Sequence, residues 1–144
     1  MEELLAYAIL YCEGFEVESL YQSKLDELFL ENSEDALLLE LEFLSGNMKE
    51  SALRLRSFLV MQEFNADAFG TALMRALKKQ YEELELKEFS KCTYSLWSKL
   101  PEGIQHVQPF WTLCYAEEPL SWGDEKQSRE LFEWALNYYL SVEE

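Results

Sequence analysis

"FLSGNMKESAL", Phe43 to Leu53, sets a glycine and an asparagine between two runs whose apolar residues recur with helical spacing. Glycine takes the left-handed backbone conformation that commonly ends a helix, and Gly46 directly follows the first run. Asn47 suits an N-cap, and Glu50 three residues on completes a capping-box-like pair ahead of Ala52, Leu55, Phe58 and Leu59. A helix stop and a helix start this close together predict an antiparallel helical hairpin.

Outward from that turn, nearly every segment has helical periodicity and almost nothing alternates with period two. Met1 to Glu13 is apolar nearly all round (Leu4, Leu5, Tyr7, Ala8, Ile9, Tyr11, Cys12), which predicts a largely buried first helix. Val17, Leu20, Tyr21, Leu25, Leu28 and Phe29 line one face of a second. Ser33 is the expected N-cap of a third, running to about Ser45 with Glu34 and Asp35 in its first turn. Beyond the quoted turn, a fifth helix is expected from about Ala66 to Glu83, after Asn65. A sixth is expected from about Glu85 to Leu100, stopping at "PEG". Pro109 suits the first turn of a seventh helix holding Phe110, Trp111, Leu113, Cys114 and Tyr115, with Pro119 at its end. Asp124 with Gln127 opens the last, whose Leu131, Phe132, Ala135, Leu136, Tyr138 and Tyr139 form a wide apolar stripe.

"YCEGFEVESL" (Tyr11 to Leu20) aligns with "FLSGNMKESA" (Phe43 to Ala52), matching Gly14 to Gly46, Glu18 to Glu50 and Ser19 to Ser51, 32 residues apart. That spacing is close to the period of about 34 residues of helix-turn-helix repeats. Leu41, Phe43, Leu44, Gly46, Asn47, Met48, Glu50 and the run from Ala52 to Leu59 resemble the middle of a tetratricopeptide repeat. The resemblance spans two turns; at the third, Glu83 stands where glycine would. The expected fold is thus a single all-α domain over residues 1–144. It has about eight antiparallel helices as stacked hairpins, either tetratricopeptide-like or an irregular orthogonal bundle.

The chain has 144 residues, 49 % of them hydrophobic and 15 % aromatic, enough to bury a sizeable core. "LLAYAILYC" (Leu4 to Cys12) is far shorter than the roughly 20 apolar residues that a bilayer span needs. Glu2 and Glu3 precede it in place of a basic signal-peptide start. Cys12, Cys92 and Cys114 are odd in number and widely spaced, which disfavours a disulfide framework or a CxxC zinc site, so the cytoplasm is the expected compartment. Net charge is −16: residues 1 to 50 carry 13 acids and 2 bases, residues 51 to 100 carry 6 and 8, and residues 101 to 144 carry 9 and 2. Such a field repels nucleic acid and anionic membranes and steers in a basic protein or peptide.

No chemical motif is present. His106 is the single histidine, so Glu-x-x-His di-metal bundles and most histidine-based catalysis are excluded. Glu102 and His106 share a helical spacing, but two ligands make no metal site. There is no Gly-rich phosphate loop, GxSxG, HExxH or EF-hand loop. Catalytic residues, cofactors and metals are therefore all expected to be none.

The one surface that stands out is "YAEEPLSWGDE", Tyr115 to Glu125, where Tyr115 and Trp122 stand beside Glu117, Glu118, Asp124 and Glu125 in an expected loop. Exposed aromatics rimmed by acids suit capture of Lys- and Arg-rich protein surfaces. The other reading folds Trp122 back as a staple under the last helix. The functional expectation is a non-enzymatic, acidic protein-binding module, immunity- or antitoxin-like, for a basic partner. Its rivals are a tetratricopeptide-like chaperone or adaptor for a peptide helix, a nucleic-acid mimic, and an enzyme without recognisable motifs. A homodimer is left open.

Overall fold

Apolar residues at helical spacing dictate helix, and in the computed structural model, which describes residues 1–44 and 46–140, every regular element is α-helical. The fold class is all-α, with no strand among the described residues. Two compact units succeed one another along the chain, Met1–Phe69 and Gly70–Glu144.

The first unit holds α1 (Glu2–Cys12), α2 (Glu18–Glu31), α3 (Ala36–Phe43) and α4 (Met48–Val60). As its all-round apolarity requires, α1 is the buried element, with Leu4, Leu5, Ala6, Ala8, Ile9 and Leu10 inside. It packs against both α2 and α4, and α2 in turn packs against α3. Phe15, Val17, Tyr21, Leu25, Leu38, Leu41, Leu55 and Leu59 fill the remaining core. The cap of α3 differs from expectation: Asp35, not Ser33, accepts from the Leu38 amide at 3.1 Å, so the helix begins at Ala36. The expected end of α3, near Ser45, falls at a residue outside those described.

The turn at Gly46 and Asn47 is built as its residues require. Gly46 has φ +97° and its aligned partner Gly14 has φ +95°, both in the left-handed region. Asn47 Oδ1 accepts from the Glu50 amide at 3.2 Å, and Ser51 Oγ donates to the Asn47 carbonyl at 3.1 Å. Arg54 on α4 pairs with Glu40 on α3 at 2.7 Å, tying the two helices across the turn.

The second unit holds α5 (Ala66–Glu83) beyond its first turn, α6 (Leu86–Ser98), α7 (Glu102–Gln105), α8 (Phe110–Tyr115), α9 (Glu118–Ser121) and α10 (Glu125–Leu136). Asn65 caps α5 by accepting from the Ala68 amide at 3.0 Å. Tyr81, Phe89 and Phe132 meet edge to face at its centre, with Tyr81–Phe89 and Phe89–Phe132 centroids 5.2 Å apart. α8 packs against α6, α7 and α10, and α9 packs against α10. Lys78 Nζ donates to Asn137 Oδ1 at 2.8 Å, binding α5 to the end of α10.

Pro119 was expected to end the seventh helix. It instead occupies the first turn of α9, where the missing proline N–H is no loss. No helix among the described residues is long and apolar enough to cross a membrane.

Candidate partner-binding site

The outward face of α8 is set by helical spacing: Phe110, Thr112 and Leu113 turn inward, which leaves Trp111, Cys114 and Tyr115 on the other side. Because α8 packs against α6 and α7, Trp111 meets side chains from earlier in the chain. Its ring lies 6.0 Å from Trp97 and 5.0 Å from His106, and Trp97 and His106 are 6.0 Å apart. Tyr115 extends the row, 6.3 Å from Trp111. Trp111 is 37 % exposed, His106 is exposed, and Trp97 and Tyr115 are half-buried.

Two of the four rings, Trp97 and Tyr115, are anchored by hydrogen bonds. Trp97 Nε1 donates to the Gln105 carbonyl at 2.9 Å, and Gln105 Nε2 donates back to the Trp97 and Ser98 carbonyls at 3.3 Å. Gln108 Oε1 accepts from the Thr112 amide at 3.1 Å and from the Thr112 hydroxyl at 2.6 Å. With the only Thr112 hydroxyl proton so committed, the Tyr115 hydroxyl donates to Thr112 Oγ1 at 3.3 Å. Trp97 and Tyr115 are thereby held in place on either side of Trp111, whose partly exposed ring can meet a cation.

Acids border it. Burial, and then the neighbouring Glu118 carboxylate, raise the Glu117 carboxyl above the ordinary value. The Cys114 thiol is likewise pushed up by burial and by Glu118 and Glu117, the reverse of what activates a nucleophilic cysteine. Cys12 is raised too, chiefly by burial. No group of three or more His, Cys, Asp or Glu side chains among the described residues is arranged to hold a metal ion.

Of the six residues selected from sequence, Tyr115, Glu117 and Glu118 stand together at the α8–α9 junction. Asp124 and Glu125 serve α10 instead. Asp124 Oδ1 accepts from the Gln127 amide at 3.1 Å as the N-cap, and Glu125 pairs with Arg129 at 2.8 Å. Trp122 is 67 % exposed beside the left-handed Gly123 (φ +90°), so the staple reading does not hold. The expected loop is mostly helix, since α9 occupies Glu118–Ser121. Trp97, His106 and Trp111 were missed because only the packing of α6 and α7 on α8 assembles them. Their one sequence signal was five aromatic rings, His106 and the inward-turned Phe110 among them, within 19 residues of helix-rich chain, Trp97 to Tyr115. No protein-family model, curated protein sequence or solved structure matches the chain.

Proposed function

We propose that this chain is a non-enzymatic, acidic protein-binding module of the cytoplasm that captures a basic protein, in the manner of an immunity protein or antitoxin plugging a cationic target. The observation that carries this reading is the Trp97–His106–Trp111–Tyr115 row bordered by Glu117 and Glu118. A partner's Arg or Lys laid on Trp111 or Tyr115 gains the ring quadrupole and offsets the like-charge repulsion that disfavours the ionised form of Glu117 beside Glu118. The net charge of −16 adds long-range attraction and speeds encounter.

The test is affinity capture from the native lysate with the wild-type chain and a Trp111→Ala/Tyr115→Ala chain side by side. A basic protein held by the first, lost by the second and released as salt rises is the expected result. Recovery of a bound metabolite and no protein, or capture indifferent to both salt and the substitutions, overturns the reading.

A further inference from the structure

Histidine is the side chain whose charge ordinarily changes between about pH 5 and about pH 8, and this chain has a single one, His106. Its place is pinned from both sides. The Gln105 carbonyl before it accepts from Trp97 Nε1 at 2.9 Å, and the Val107 carbonyl after it accepts from the Trp111 amide at 2.9 Å. Between these anchors the imidazole lies 5.0 Å from the Trp111 ring and 6.0 Å from the Trp97 ring, centroid to centroid. The side chain is exposed and forms no hydrogen bond or ion pair among the described residues, so the two indoles are the groups on which its charge acts first.

A cation within about 6 Å of an indole centroid is attracted by the negative face of the ring. Once protonated, His106 is such a cation, already in place. It takes up the attraction that Trp111 offers an incoming Arg or Lys, and it sets a positive charge where that cation arrives. While neutral it does neither. The other titratable and charged side chains around it are Cys92, Tyr94 and Lys99 on the near end of α6 and just beyond, and Glu102 on α7. On α8 and just beyond they are Cys114, Tyr115, Glu117 and Glu118. Lys and Tyr ordinarily titrate above the histidine range and Glu below it. Burial pushes the Cys114 thiol further up and the Glu117 carboxyl up toward that range, so Glu117 is the competing source of pH dependence at the row.

We infer that protonation of His106 closes the aromatic row, so that a basic partner held near pH 8 is released as pH falls. This regulation rests on the reading of the row as the capture surface.

The probe is a peptide of about six arginines, titrated into the full chain by calorimetry at about pH 8 and about pH 5.5. Wild-type affinity should fall roughly threefold or more between the two. His106→Gln, which keeps a polar side chain but takes no proton, should lose most of that fall, and His106→Gln/Glu117→Gln should lose the remainder. Equal falls in the wild type and His106→Gln overturn the inference alone, since the proton then acts at Glu117. Absence of binding at about pH 8, or binding indifferent to Trp111→Ala/Tyr115→Ala, removes the aromatic-row reading and this inference with it. A second measurement needs no partner. Imidazolium in contact with an indole quenches it, so tryptophan fluorescence of the free chain should drop with the midpoint of the single imidazole proton resonance, and His106→Gln should abolish the step. Fluorescence that ignores the imidazole titration sinks the inference even where the peptide binds.

Discussion

Tyr21 is 2 % exposed, and its hydroxyl has no hydrogen-bond partner among the described residues. Burial raises the phenol's pKa, and nearby Ser51 offsets this in part. Ser51 nevertheless directs its Oγ to the Asn47 and Leu44 carbonyls, at 3.1 and 3.5 Å, and closes no bond with Tyr21. An unsatisfied buried hydroxyl costs about 1–3 kcal/mol, while the ring packs equally well without it. Tyr21→Phe should therefore leave stability unchanged or raise it by about 1 kcal/mol in urea unfolding. A loss of that size would mean that the hydroxyl is bonded. Gly46 presents the opposite case: a side chain there meets nothing within 4 Å, so any cost is backbone strain at φ +97°. Gly46→Val should lose roughly 1 kcal/mol or more, because a β-branched residue is penalised in the left-handed region. Unchanged denaturant stability would mean that the turn relaxes to another conformation.

At the scale of elements, the short link between α8 and α9 concentrates acid. Glu117 is half-buried and stands beside Glu118, so its folded pKa exceeds its unfolded one. The folded state then holds the proton more tightly, and stability falls as pH rises from the ordinary glutamate value of about 4.3 through the raised one. Glu117→Gln should accordingly raise the unfolding midpoint at pH 7, and the gain should vanish once pH falls below the ordinary value. A gain that persists at low pH would assign the effect to packing. The helices themselves were legible wherever termination is local chemistry: Gly46, Asn47, Asn65 and Asp124 act as caps or stops where their residue types demand. Ser33 and Asp35 are both good caps two residues apart, and only the backbone course of α3 chooses between them. Pro119 is ambiguous because proline serves after a helix and within a first turn alike. The candidate site was half legible: Tyr115, Glu117 and Glu118 are contiguous in sequence, whereas Trp97, His106 and Trp111 become neighbours only through the packing of α6, α7 and α8. Asp124 was read both as a surface acid and as a helix opener, and the geometry gives it the second role.

Over the whole molecule the dominant quantity is charge, which needs no geometry to read. Residues 1–69 hold 15 acids and 4 bases, and residues 70–144 hold 13 and 8, so both parts are negative. Among the described residues, the pairs Lys24–Glu3, Lys24–Glu27, Glu40–Arg54 and Glu125–Arg129 are each solvent-exposed at one or both partners, and pairs of that kind contribute little. With 28 acids against 12 bases, self-repulsion opposes the compact state. Raising sodium chloride from about 0.01 to about 1 M shortens the screening length from roughly 30 to roughly 3 Å. Chloride is the suitable anion, since sulfate would strengthen apolar burial in its own right. The thermal unfolding midpoint of the free chain should rise across that range, while its affinity for a basic partner falls, because one charge distribution opposes folding and favours encounter. The two opposite slopes, read by calorimetry on the same protein, separate electrostatic steering from a salt effect on packing. A midpoint that is flat or falls with salt would mean that the acids are locally compensated, and steering by net charge would lose its basis.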